Sequence, residues 1–141
     1  MILLDTHVLV WASLAPERLG DQASRRFEQA WAGGGQSVGV SAVSFWEVAM
    51  LVAKGRLQLE QTPMHWRRTW LAAGLAEWPL SGAIGIGAVH LDGFHSDPAD
   101  PADPADRWIV ATALDLGAEL LTADERLLAW SGPLTCVDAR R

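Results

Sequence analysis

Met1-Ile2-Leu3-Leu4-Asp5-Thr6-His7 opens with an unbroken apolar run that stops on a carboxylate, Asp5. A run with no position left for a solvent-facing side chain suits a strand buried on both faces, as at the centre of a parallel sheet. Asp5 then falls at the strand's carboxyl end. In open α/β sheets that end delivers ligand-binding groups, at the point where strand order reverses.

Working outward, Val8-Leu9-Val10-Trp11 predicts a short helix that ends before Pro16, and Gly20 to Trp31 predicts a second, with Ala23, Phe27, Ala30 and Trp31 at helical spacing. Gly33-Gly34-Gly35 stops it, and Ser37-Val38-Gly39-Val40 reads as a second strand. A third helix starts near Ser41 to Ser44, carries Phe45, Val48, Leu51 and Val52 on one face, and breaks by Gly55. A fourth, from about Thr62 to Ala73, puts Trp66 and Trp70 on one face, and Leu75 to Trp78 follows as a strand. Leu80 to Leu91 is helical in placement but weakened by three glycines.

The tripeptide Asp-Pro-Ala then occurs three times, at 97–99, 100–102 and 103–105, before Asp106. Prolines at that spacing cannot sit inside a helix, so the early copies predict an extended acidic loop. The last copy leads into a helix over Arg107 to Leu116, closed by Gly117. Glu119 to Thr122 is a fourth strand, Glu125 to Trp130 a short helix, and Leu134 to Val137 a last strand. The alternation predicts one three-layer α/β/α domain over residues 1–141, with a mainly parallel central sheet of four to five strands.

Composition narrows the function classes. At 141 residues, half hydrophobic and one fifth charged, the chain is sized for one domain with a sizeable core. A net charge of −6 argues against a general polyanion binder, since non-specific nucleic-acid affinity comes from Lys and Arg neutralising phosphates. It leaves room for a nuclease whose acidic centre is screened by bound cations. The lone Cys136 excludes an internal disulfide, and no apolar run reaches the length of a membrane span, so the expectation is a cytoplasmic protein. Eight tryptophans beside no tyrosine exceed what a core of this size requires, which points to some of them lying at a partner surface.

Four acids sit where the predicted strands and helices meet. Asp5 ends the first strand, Asp124 follows the fourth, Glu47 lies in the first turns of the third helix, and Asp106 opens the helix before the fourth strand. If the first and fourth strands are neighbours, all four converge on one crevice. Crowded carboxylates without a counter-charge raise one another's pKa and protonate. Such a cluster makes sense around a hard cation with oxygen ligands, Mg²⁺ or Mn²⁺.

Each acid also has a purely structural reading. Ser44-Phe45-Trp46-Glu47 has the form of a capping box, which would tie Glu47 to a helix start. Asp103-Pro104-Ala105-Asp106 suits a helix N-terminus, and Asp124 suits the cap of the short helix after it. Asp5 gains nothing from capping unless a helix starts at once. The structural readings account for each residue singly but not for four acids arriving at one end of one sheet.

Other motifs carry less. Gly85-Ile86-Gly87-Ala88-Val89-His90 begins like a dinucleotide fingerprint but has His90 in the third glycine position. His90, His95 and Asp97 lack the spacing and fourth ligand of a zinc site, and no G-x-S-x-G elbow is present. A receiver-like domain phosphorylated on Asp5 would need a late lysine, and none follows Asp106.

Leu3 to Trp11, Ser41 to Glu47, Asp103 to Ala113 and Leu121 to Asp124 together resemble, in order and spacing, the successive motifs of the PIN-domain family, specifically the VapC-type toxins of bacterial toxin–antitoxin pairs. The resemblance implies a PIN-like fold and a Mg²⁺- or Mn²⁺-dependent endoribonuclease that leaves a 3′-hydroxyl and a 5′-phosphate. It further implies a homodimer inhibited by a cognate antitoxin. The family's catalytic and metal-holding acids fall on Asp5, Glu47, Asp106 and Asp124; Thr6 and Thr122 match hydroxyl positions, and Asp103 a frequent extra acid. Arg107, Arg56 and Lys54 are by position candidates for meeting substrate phosphates, against a default reading of each as a solvated surface residue. The family pattern has a single D-P-x-D, so the triplicated tripeptide is a departure. It leaves an alternative open: a catalytically impaired PIN-like protein that acts mainly by binding a protein partner.

Overall fold

The computed structural model describes residues 1–94 and 104–141. Five parallel strands form one sheet: β1 (Ile2–Leu4), β2 (Val38–Ser41), β3 (Ala76–Trp78), β4 (Glu119–Thr122) and β5 (Cys136–Asp138), in the order β3-β2-β1-β4-β5. Strand β1 is central, as its sequence requires, pairing Ile2 with Val38 on one side and with Glu119 on the other. Ile2, Leu3 and Leu4 are each fully excluded from solvent, an arrangement worth about 1.5–3 kcal/mol per side chain.

The chain builds outward from β1 through β2 to β3, then returns to the other side of β1 to lay down β4 and β5. The reversal therefore falls between β1 and β4. Strand alternation splits the core in two. Ile2 and Leu4 face a cluster with Val8 and Leu9 of α1 (Thr6–Leu14), Ala23 and Ala30 of α2 (Asp21–Ala32), Val48 of α3 (Ala42–Ala53) and Trp66 of α4 (Pro63–Ala73). Leu3 faces the opposite cluster, with Ile109, Val110 and Ala113 of α6 (Pro104–Leu116) and Leu127 of α7 (Glu125–Ala129). Helix α5 (Gly82–Val89) packs Ile84 and Ala88 against Ala111 of α6. The α/β/α layering and parallel sheet follow the sequence reading, with a 3-10 turn at Pro16–Arg18 that it did not contain.

Two glycines are required by their surroundings. Gly74 closes α4 at φ 118, a left-handed conformation that favours glycine. Gly39 lies so close under the Trp78 indole that a Cβ there would stand 2.7 Å from Nε1.

Two local expectations are corrected. The third helix is capped by Ser41, whose hydroxyl accepts from the Val43 N–H at 3.2 Å, so Ser44 and Glu47 form no capping box. The earlier cap carries Glu47 into the second turn, where its side chain is released from the helix end. Helix α1 does start at once: Asp5 is its N-cap, accepting the Thr6 N–H on Oδ1 at 2.8 Å. Among the described residues no helix is long and apolar enough to cross a membrane.

Candidate active site

Because β1 and β4 are adjacent and parallel, their carboxyl ends open side by side. Asp5 leaves β1 there, buried to 3% exposure, and Thr122 ends β4 beside it, fully buried. The Thr122 hydroxyl donates to Asp5 Oδ2 at 2.7 Å and accepts the Asp124 N–H at 3.0 Å. Both oxygens of the buried Asp5 carboxylate are thereby satisfied, the condition for keeping a charge out of water.

His7 joins the same two strand ends. Its Nε2 accepts the Ala123 N–H at 2.9 Å, which puts the neutral ring's proton on Nδ1, 3.6 Å from Asp5 Oδ2. The ring edge rests on Trp11, with centroids 5.2 Å apart.

From α3, Glu47 enters by way of Thr6, whose hydroxyl lies 2.5 Å from Glu47 Oε1 and 2.9 Å from Ser44 Oγ. From the first turn of α6, Asp106 enters by way of Arg126, whose Nη2 lies 3.2 Å from Asp106 Oδ2 and 3.0 Å from Asp124 Oδ2. Asp124 caps α7 as well, accepting the Arg126 N–H at 2.9 Å. Burial pushes the Asp124 carboxyl up, but hydrogen bonds from the Arg126 side chain and backbone, with its charge, hold it below the usual carboxylate range.

Asp5, Thr6, His7, Glu47, Arg56, Asp106 and Asp124 line one cavity of about 210 Å³, with Val10, Leu51 and Leu57 as its apolar wall. The four acids picked from sequence are thus brought together from four separate segments. Thr6 and Thr122 act on them directly, and Arg56 lies on the wall. Lys54, at the exposed end of α3, is outside the lining. Asp103, His95 and Asp97 lie outside the described residues.

Arg107 is not brought to the cavity. Its guanidinium donates to the carbonyls of Ala88 and Phe94, both at 3.1 Å, and lies over the Phe94 ring, fastening the end of α5 to α6. The correction to its expected phosphate contact has a simple cause: successive residues on α6 point to different sides of the helix, so Asp106 and Arg107 cannot both face the crevice.

The sequence did not mark His7, Ser44 or Arg126 as residues of the site. Asp124-Glu125-Arg126 held a signal for the last, since Asp138-Ala139-Arg140 repeats the spacing and the same local pairing.

Apart from the His7 imidazole, the groups facing the cavity that could bind a cation are oxygens, a set suited to a hard cation. That a guanidinium already spans two of the carboxylates shows that this place attracts positive charge. Among the described residues no three His, Cys, Asp or Glu side chains form a group that could hold one ion jointly.

A parallel α/β sheet with four acids gathered where its strand order reverses defines the class, an α/β domain with an acidic site at the carboxyl ends of its strands. The chain belongs to the PIN domain family, whose model matches residues 2–131. It is 35% identical over 133 residues to "Ribonuclease VapC22" of Mycobacterium tuberculosis (strain ATCC 25618 / H37Rv), covering 94% of this chain and 93% of that protein. Among solved structures it resembles VapBC2 from Rickettsia felis bound to a DNA fragment from its promoter, with a TM-score of 0.69 at 16% identity over 97% of this chain and 98% of that one. It also resembles DNA-bound VapBC from Salmonella typhimurium, at TM-score 0.69 and 14% identity over 97% and 96%. A toxin–antitoxin complex from Klebsiella pneumoniae matches at TM-score 0.63 and 20% identity over 99% and 98%. At these identities the structures establish the fold.

Proposed function

We propose that this chain is a divalent-cation-dependent endoribonuclease, the toxin of a toxin–antitoxin pair. The observation that carries the reading is the convergence of Asp5, Glu47, Asp106 and Asp124 on one cavity. The 35% identity to a ribonuclease along nearly the whole chain supports RNA as the substrate. The alternative of an impaired, purely binding protein is not favoured, since the expanded loop leaves the set of acids intact.

Asp5, Asp106 and Asp124 would hold Mg²⁺ or Mn²⁺, with Glu47 beside them. When bound, such an ion lowers the pKa of a coordinated water and offsets charge on the phosphoryl oxygens. The chain's own residues prepare the rest. Thr122 and the Thr6 N–H orient the Asp5 carboxylate, and the Thr6 hydroxyl aims Glu47, the group placed to orient a water or hold a second ion. His7 ties the β1 and β4 ends together so that Asp5 and Asp124 keep their spacing. Arg56 on the cavity wall is the positive partner for a substrate phosphate, with Lys54 farther out.

The solved relatives are toxin–antitoxin complexes, which supports an antitoxin as this chain's partner. Exposed apolar side chains, Ile86 and Val89 on α5 and Trp46 on α3, suit protein contacts, a second copy of the chain among them. The expected compartment is the cytoplasm.

The test is cleavage of RNA by the purified chain with Mg²⁺ or Mn²⁺, with the fragment ends mapped. Cutting that stops with EDTA and resumes with Mn²⁺, leaving 3′-hydroxyl and 5′-phosphate ends, is the expected result. Cutting indifferent to EDTA, or none on any RNA offered to folded, antitoxin-free protein, overturns the proposal.

A further inference from the structure

Acids gathered in one cavity need a counter-charge, and the chain supplies one from within. Arg126 spans Asp106 of α6 and Asp124 at the end of β4, placing Nη2 within 3.2 Å of the first and 3.0 Å of the second. The local half of this contact is built into the chain. Asp124 Oδ1 takes both the Arg126 N–H and its Nε–H, and Asp138 Oδ1 does the same for Arg140. In each copy the arginine is folded back on its own aspartate and reaches a second acid, Arg126 with the same Nη2 that pairs with Asp124 and Arg140 with its Nη1. For Arg140 that acid is the solvent-exposed Glu125; for Arg126 it is Asp106, in the cavity.

We propose that Arg126 is the resident cation of the Asp106–Asp124 pair: a positioning residue that holds the two acids in register while no divalent ion is bound and gives up that place when one binds. The inference rests on the metal-dependent reading above and adds to it a competitor built into the chain. A guanidinium stays charged at any pH the protein meets, so it can leave only by moving. It has room to move. The Arg126 side chain is 48% exposed, against 13% for Asp106 and 20% for Asp124. Exposed arginine–carboxylate pairs are individually weak, and a divalent ion brings twice the charge to the same oxygens, so displacement is energetically accessible. The released guanidinium remains tethered two residues from Asp124, at the mouth of the site.

The experiment measures Mn²⁺ binding to RNA-free protein by the loss of the free-ion electron paramagnetic resonance signal, for wild type, Arg126→Gln and Arg126→Lys. Arg126→Gln is expected to bind about tenfold more tightly than wild type, the scale on which neighbours of a metal site act. Arg126→Lys, which keeps the charge but cannot span two carboxylates, should fall between them. In metal-free buffer Arg126→Gln should melt below wild type, and Mn²⁺ should raise its Tm by more. A merely structural role predicts the reverse, weaker Mn²⁺ binding once the acids are loosened; that result, or equal affinities, overturns the inference. Should Arg126→Gln fail to fold, wild type decides: Mg²⁺ must shift the Arg126 Nε–H resonance with the same affinity that it shows in a binding titration, and an unmoved resonance overturns the proposal. If neither ion binds wild type or Arg126→Lys at millimolar concentration, the metal-dependent reading falls as well. Binding that is present but indifferent to residue 126 sinks this inference alone.

Discussion

Thr122 donates its hydroxyl to Asp5 across 2.7 Å although 117 positions separate the two in the chain. The contact exists because β1 and β4 are parallel neighbours, and it fixes the carboxylate about which the cavity is built. Replacing Thr122 by Val keeps the shape and deletes the donor, leaving a buried carboxylate oxygen short of a partner. A loss of about 1–3 kcal/mol in denaturant unfolding is expected, together with reduced RNA cleavage. Thr122→Ser should restore both.

Asp5→Asn preserves a helix cap and the approximate shape of the side chain while removing its charge. Several kcal/mol of charge stabilisation should go with it, so cleavage by the purified protein is expected to fall by about two to three orders of magnitude. Circular dichroism should show the folded protein. Wild-type activity in this variant would remove Asp5 from the mechanism.

Gly39→Ala tests the packing behind the site. The added Cβ would stand 2.7 Å from Trp78 Nε1 and 3.2 Å from the Ala76 carbonyl oxygen, inside a paired strand that cannot easily yield. Overpacking of this kind costs about 1–3 kcal/mol, read as a lower urea midpoint with an unchanged slope.

Stability should fall in acid through Asp138. The side-chain hydrogen bond from Arg140, with further help from its backbone N–H and charge, brings this carboxyl from the ordinary 3.8 down to about 2. A group depressed on folding stabilises the native state above its unfolded value. The Asp138 contribution is therefore complete above about pH 4 and is lost as pH falls from there towards 2. Urea unfolding at a series of pH values should show a shallower acid slope for Asp138→Asn than for wild type.

Cys136 should be slow to react. Burial, and to a lesser degree the charge of Asp5, push its thiol from the ordinary 9.0 to about 11. At pH 8 that reduces the reactive thiolate about a hundredfold, so alkylation by iodoacetamide should be slow in native protein and fast in urea. Equal rates would show that the thiol is open to solvent.

Much of this arrangement is legible in the order of residues. An apolar run ending on an acid announces a central strand, and alternating apolar periods announce the helices that cross between parallel strands. Asp5, Glu47, Asp106 and Asp124 reach the cavity, because the end of a buried strand or the start of the next helix leaves a side chain few other places to point. Local spacing also contains the pairing of Asp124 with Arg126, since Asp-x-Arg folds back in the same way at 138–140.

Local pattern misleads where a near neighbour offers a second explanation. Ser44-x-x-Glu47 has the spacing of a cap, yet Ser41 takes that role and Glu47 is held by Thr6, 41 positions away. Arg107 adjoins a site acid but serves the carbonyls of Ala88 and Phe94.

The sequence by itself determined the elements, their parallel order and the acids at their ends, because those depend on hydrophobic period and on what a buried strand can carry. Only the tertiary structure decided which hydroxyl holds which carboxylate and that one arginine stands between Asp106 and Asp124. Such contacts join residues that are brought together by strand order and helix phase, and no spacing along the chain records them.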